Sequence, residues 1–205
     1  ADDGFDLINS SEAVSIEDCW ALFNGYMPSA EDPGRLVSLA DGNGIKAGGY
    51  GMKERTKNPQ VIPEHRVVNC IAYGNKASGV YANHHLGGVY FANNTSVGNR
   101  YNYNMVCRKS PEEAVDVDGY SHRLVGNLGW MARDLEVRAI DYSKCVVEGC
   151  SFHDCDIPYD EDSFMSTDHT EMLAPRKADG SLPEIRYMSP KPGTALRDSG
   201  MGARY

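Results

Sequence analysis

Ser78-Gly79-Val80-Tyr81 can be laid over three other short stretches: Asp3-Gly4-Phe5-Asp6, Asn43-Gly44-Ile45-Lys46 and Tyr101-Asn102-Tyr103-Asn104. In each, the second residue favours a turn, the third is apolar or aromatic, and the fourth can face solvent. Successive side chains on a strand point to opposite faces. A stack of parallel strands would therefore send Phe5, Ile45, Val80 and Tyr103 inward and leave Asp6, Lys46, Tyr81 and Asn104 as one outward column. Such a stack sets the acidic corner of Asp2, Asp3 and Asp6 one strand spacing, about 4.8 Å, from Lys46.

Longer stretches repeat as well. Asp18-Cys19-Trp20-Ala21-Leu22-Phe23-Asn24 matches Asn69-Cys70-Ile71-Ala72-Tyr73-Gly74-Asn75, and Asn94-Thr95-Ser96-Val97-Gly98-Asn99 matches with one residue fewer. Asn127-Leu128-Gly129-Trp130 and Gly149-Cys150-Ser151-Phe152 are weaker copies. Asn75 to Asn99 is 24 residues, and Asp18 to Asn69 is 51, two coils plus an insertion. A period in the twenties built from β-branched and small residues indicates a solenoid. Helical periodicity is poor, and runs such as Arg66-Val67-Val68 and Gly88-Val89-Tyr90-Phe91 lie between Asn and Gly turns. The recurrent leucines of a leucine-rich repeat are missing. The expected architecture is all-β, a parallel β-helix. Asn24, Asn75 and Asn99 then serve as left-handed turn residues or as an internal amide ladder. Cys19, Cys70 and Thr95 are expected to form a second interior stack.

Residues 1–155 read as coils with two insertions, near 27–41 and 53–63, where prolines and charges interrupt the repeat. Ala47-Gly48-Gly49-Tyr50-Gly51, directly after Lys46, is small enough to admit a backbone or ligand at close range. Residues 156–205 read as last strands, a C-terminal cap and a tail, because the free edges of a solenoid need covering. The opening Ala-Asp-Asp-Gly-Phe-Asp has no lead-in element, so the chain reads as the C-terminal part of a longer β-helix whose N-terminal remainder would stack on it.

The 205 residues are enough for one sizeable core, and 41% of them are hydrophobic. The net charge of −9 argues against nucleic acid and against an anionic membrane surface as partners. No apolar run approaches the length that spans a bilayer. The six cysteines have no zinc spacing and read as buried thiols, with a Cys150–Cys155 disulfide as the alternative for that pair.

Asp2, Asp3 and Asp6 offer hard oxygens of the kind Ca²⁺ prefers. A cation there would offset the carboxylates and disfavour the ammonium form of Lys46, leaving a general base beside a metal. That combination suits proton abstraction next to a carboxylate. Arg55, Arg100 and Arg108 are candidate partners for substrate carboxylates. Tyr81, Asn83, His84, His85 and Asn104 are candidates to line the same groove.

ADDGFD, CWALFNGY, DGNGIKAGG, HRVVNCIAYGNKASGVYANHHLGG and NNTSVGN together resemble polysaccharide lyase family 9, over roughly residues 1–130. The resemblance implies a right-handed parallel β-helix that cleaves pectate or rhamnogalacturonan. It implies Ca²⁺ on Asp2, Asp3 and Asp6, together with an aspartate from an earlier coil. It also implies Lys46 as the base that takes the proton from carbon 5 of a galacturonate, so that the oxygen on carbon 4 leaves. NHHLGG and NYNMVCR resemble the rhamnogalacturonan-cleaving members more. A pectic polymer as substrate implies a secreted, periplasmic or cell-surface protein. The residues leave two other readings open. One is a glycoside hydrolase on the same architecture, with Asp2 and Asp3 as acid and base. The other is a non-catalytic carbohydrate-binding solenoid.

Overall fold

The computed structural model describes residues 2–49 and 59–204. Most of the second insertion, 53–63, and with it Arg55, lies outside the described residues. The chain winds as a parallel β-helix of three sheets. The first coil runs β2 (Ser15–Glu17), β3 (Trp20–Leu22) and, after an antiparallel hairpin of β4 (Tyr26–Pro28) and β5 (Leu36–Ser38), β6 (Ile45–Lys46). The second runs β7 (His65–Val68), β8 (Ile71–Tyr73) and β9 (Ser78–Tyr81), and the third β10 (Val89–Ala92), β11 (Thr95–Val97) and β12 (Tyr101–Asn104). A second hairpin, β13 (Cys107–Arg108) with β14 (Asp116–Val117), precedes the fourth coil of β15 (Arg123–Val125), β16 (Leu128–Trp130) and β17 (Leu135–Arg138). β1 (Phe5–Asp6) and β18 (Val146–Glu148) complete the stacks. The sheet orders are β1-β6-β9-β12-β17, β18-β15-β10-β7-β2 and β16-β11-β8-β3.

The four laid-over stretches pair in the expected register. Asp6 lies opposite Lys46, Lys46 opposite Tyr81, Tyr81 opposite Asn104, and Asn104 opposite Arg138. Phe5, Ile45, Val80, Tyr103 and Val137 pack in the core. The glycines before them have a different reason than a turn. A side chain at Gly44 would place its Cβ 2.6 Å from Gly79 O and 2.7 Å from Asn75 Nδ2. At Gly79 it would meet Ser96 Oγ and Asn99 Nδ2. The interior is narrow here because an amide ladder fills it. Asn24 donates to Asn75 at 2.8 Å, Asn75 to Asn99 at 2.9 Å, and Asn99 to Asn102 at 3.0 Å. In the fourth stretch Asn102 replaces the glycine and is itself a rung, donating to Glu136 at 2.6 Å. Gly79→Ala is therefore expected to overpack the interior, lowering stability by about 1–3 kcal/mol in a denaturant melt, whereas alanine at Gly34, which has room and no left-handed backbone, would show almost no change.

The cysteine stack differs from expectation. Asn94, not Thr95, follows Cys70: it receives the Cys70 amide at 3.0 Å, and Asn127 receives the Asn94 amide at 3.1 Å. Nothing is deleted from the third coil: Asn93 and Asn94 stand at the Asn69 and Cys70 positions in a constant 24-residue offset, so Thr95 lies opposite Ile71 on the outer face. Cys150 ends this column, accepting from the Asn127 amide at 3.4 Å, and all six cysteines are free, which removes the Cys150–Cys155 disulfide.

The C-terminal segment also differs. Among the described residues beyond 155 there is no strand, only 3₁₀ turns at Glu161–Ser163 and His169–Leu173 and a short helix, α1 (Ala195–Ser199). They pack along a flank of the solenoid. Phe164, Met172, Ile185, Tyr187, Met188, Leu196 and Met201 cover the outward side chains of the β3-β8-β11-β16 sheet, namely Trp20, Leu22, Ile71, Tyr73, Val97, Leu128 and Trp130. An apolar outer face on that sheet demands a cover. The chain then returns to hydrogen-bond Gly126 from Gly202 at 2.8 Å, Thr95 from Ala203 at 2.8 Å and Asn69 from Arg204 at 2.6 Å.

Candidate active site

The column on the β1-β6-β9-β12-β17 sheet gathers a cluster of ionisable groups. Lys46 sits between two carboxylates, its Nζ 3.2 Å from Asp3 Oδ2 and 3.1 Å from Asp6 Oδ2. Backbone amides fix both acids. Asp3 Oδ1 accepts from the Asn43 amide at 2.7 Å and from its side chain at 3.0 Å, and Asp6 Oδ1 accepts from the Ile8 amide at 3.0 Å. The Asp3 side chain is almost wholly buried, at 4% exposed, while Asp6 at 37% opens to solvent. Burial alone would lower the Lys46 pKa, but the hydrogen bond and charge of Asp6 and the charge of Asp3 outweigh it and raise the value. Asp2 is turned to another task, accepting the Asp41 amide at 2.9 Å. Among the described residues no group of three or more His, Cys, Asp or Glu side chains converges as a metal site. The donors that do converge, Asp3 and Asp6, are of the hard oxygen type Ca²⁺ takes.

Beyond Lys46 the column continues into a polar network. The Tyr81 hydroxyl lies 3.3 Å from His84 Nδ1, and His84 Nε2 lies 3.3 Å from Asp116 Oδ1. Arg108 ion-pairs with the same Asp116 oxygen. Burial, then the charges of Arg108, Arg138 and Lys46, push His84 down to about 4, so its ring is neutral at ordinary pH. The β13–β14 hairpin delivers Arg108 and Asp116 to this position.

Three sequence candidates do not face the groove. His85 is wholly buried, with Nδ1 receiving the Gly49 amide at 3.2 Å and Nε2 on Pro63 O at 2.7 Å. Asn83 is buried in a left-handed turn at φ 51°, its side chain donating to Gly48 O. Arg100 stands at the opposite end of β12, ion-paired with Asp134 at 3.5 Å and stacked over Tyr101. Asn104 lies in the column but is buried, its amide on Ser78 Oγ at 3.2 Å. Arg138 extends the column and was missed in the sequence, although Leu135-Glu136-Val137-Arg138 has the same inward-third, outward-fourth pattern. Asp116 carries no such signal, since a hairpin outside the repeat supplies it.

The Pel9A-like right-handed beta helix region matches residues 1–121. Pectate lyase L of Dickeya chrysanthemi and that of Dickeya dadantii are each 38% identical over 105 residues, 50% of this chain and 21% of each relative. Among solved structures, a rhamnogalacturonan lyase superposes with a TM-score of 0.86 at 41% identity, over 98% of this chain and 47% of that one. The crystal structure of pectate lyase Pel9A superposes with a TM-score of 0.70 at 29% identity, over 95% and 42%. The chain thus spans less than half the length of these relatives. The family match takes in the acidic turn, Lys46 and the Tyr81–Arg108–Asp116 network, and the chain belongs to the Pel9A-like right-handed β-helix family.

Proposed function

We propose that this chain carries the catalytic face of a polysaccharide lyase that cleaves an acidic pectic backbone by β-elimination. The observation that carries the reading is the amine of Lys46, mounted on an open β-helix face between Asp3 and Asp6 and in line with Tyr81. In this reading Lys46 takes the proton from carbon 5 of a uronate, next to its carboxylate. Arg108 and Arg138 bind substrate carboxylates along the same column, for which a planar guanidinium is well shaped. Asp3 and Asp6 would be ligands of a Ca²⁺ ion, joined by Asp2 once it turns from the Asp41 amide. Bound there, that ion would supply positive charge that acidifies the carbon 5 hydrogen and offsets the two carboxylates around Lys46. The likeness is greater to the rhamnogalacturonan lyase than to Pel9A, which favours rhamnogalacturonan I over homogalacturonan as substrate. No helix among the described residues is long and apolar enough to cross a membrane, and a polymeric substrate places the protein outside the cytoplasm.

The test is incubation of the protein with rhamnogalacturonan I or polygalacturonate, with Ca²⁺ or with a chelator. The expected result is ultraviolet absorbance from unsaturated ends, abolished by the chelator and restored by Ca²⁺. Saturated reducing ends released without Ca²⁺ would replace this reading with a hydrolase. Binding without turnover would leave a carbohydrate-binding solenoid.

A further inference from the structure

We propose that Tyr81 is the acid of this elimination, donating its hydroxyl proton to the departing glycosidic oxygen, and that His84 is its positioning residue. The inference rests on the β-elimination reading above. A sugar alkoxide is too basic to leave readily without a proton, so a base alone is half of the machinery. The outward column offers one further group with a proton to transfer. Asp6 is engaged with Lys46, and the protons of Asn104 and Arg138 are not transferable at working pH. Tyr81 is the direct register neighbour of Lys46, about 4.8 Å along the column. That spacing lets one side chain meet carbon 5 and the next meet the oxygen on the adjoining carbon 4.

The surroundings suit the role. Burial raises the Tyr81 pKa against the opposing pull of Arg108, Lys46 and Arg138, so the phenol keeps its proton at neutral pH, and the same cations stand ready to stabilise a phenolate. With its proton on Nε2, the nitrogen 3.3 Å from the Asp116 carboxylate, the neutral His84 ring has Nδ1 bare to accept the hydroxyl at 3.3 Å and fix where it points, and Arg108 holds Asp116 in place. The arriving glycosidic oxygen replaces His84 as acceptor. The electrons then balance. Lys46 takes the carbon 5 proton, and the electron pair of that C–H bond becomes the carbon 4–carbon 5 double bond. The bond from carbon 4 to oxygen breaks, and the oxygen takes the proton of Tyr81. The phenolate recovers a proton from water while the lysine ammonium returns one, so neither group is consumed.

The experiment is Tyr81→Phe assayed in deuterium oxide on rhamnogalacturonan I oligosaccharides, with both unsaturated product and deuterium at carbon 5 of recovered substrate measured. The expected result is a fall in kcat of about 100-fold or more with KM little changed, while deuterium still enters carbon 5. Unchanged kcat would overturn the proposal. So would joint loss of turnover and exchange in a variant with the wild-type melting temperature, since Tyr81 would then serve the proton-abstraction step. His84→Leu is expected to lower kcat rather than raise KM, and His84→Asn, whose oxygen can accept from the phenol, to recover part of it; equal losses would remove His84 from the role. Lys46→Ala must lose turnover and exchange together. A wild-type protein that yields no unsaturated product overturns the lyase reading itself, and this assignment with it.

Discussion

Lys46→Arg is expected to eliminate unsaturated-product formation, a loss of about 10³-fold or more, while leaving the fold and its melting temperature nearly intact. The guanidinium keeps the positive charge that Asp3 and Asp6 surround at 3.2 and 3.1 Å, so the ion pairs persist. It does not give up a proton in a protein, so the base is gone. Lys46→Ala should be equally inactive but should also melt lower, because the almost wholly buried Asp3 carboxylate then faces Asp6 with no cation between them. The two variants together separate chemistry from charge. Without Ca²⁺, Asp6 and Asp3 hold the Lys46 pKa above its ordinary value; Ca²⁺ on those carboxylates would oppose that rise, so the rate should climb with pH and the rising limb should move to lower pH as Ca²⁺ is added. An active Lys46→Arg enzyme would remove Lys46 from the base role.

Acid should unfold the protein well before its carboxylates are neutralised. Three histidines are wholly buried: His65, His85 and His122. Each uses a bare ring nitrogen as acceptor for an amide. His65 Nδ1 takes Val14 N–H at 3.1 Å, His85 Nδ1 takes Gly49 N–H at 3.2 Å, and His122 Nδ1 takes Val89 N–H at 3.2 Å. The rings of His65 and His85 stack at 4.4 Å, so a charge on one would oppose a charge on the other. Protonation removes the acceptor and buries a charge. Burial lowers all three pKa values, to about 4 for His85 and for His122. The unfolded chain binds these protons near pH 6.5, so stability is full above that value and is lost as pH falls from there toward 4. Linkage puts the loss at about 2 kcal/mol for each of His85 and His122 between pH 7.5 and 5, a large part of a typical domain's stability. Denaturant melts across that interval should show it, with the slope reduced in His122→Gln. A flat profile would mean that these rings tolerate charge where they sit.

The legible part of this protein was the part that repeats. The column Asp6, Lys46, Tyr81, Asn104 was readable because a strand alternates with period two and parallel coils stack in register, so matching short stretches implies matching neighbours. The ladder Asn24, Asn75, Asn99 was readable for the same reason. The third coil exposes the limit. Nothing is deleted there, but Asn93 and Asn94 are identical residues and either can be laid on Asn69; the register takes Asn93, which puts Asn94 at the cysteine position and turns Thr95 outward. His84 and His85 are adjacent in sequence, yet one joins Tyr81 at the surface and the other lines the interior, because the left-handed turn at Asn83 and His84 reverses their directions.

The amino-acid order by itself determined the coil, its period and the meeting of Lys46 with the acidic turn, since backbone hydrogen bonding between equivalent strands leaves few other registers that bury Phe5, Ile45, Val80 and Tyr103 together. Only the tertiary structure decided that residues 156–204 lie along a flank rather than over an end, because that depends on which outer sheet face is apolar enough to need cover. It alone decided that Asp116 and Arg108 stand behind His84, because they arrive on a hairpin that belongs to no repeat, and the position of an insertion is set by what it packs against rather than by any period in the chain.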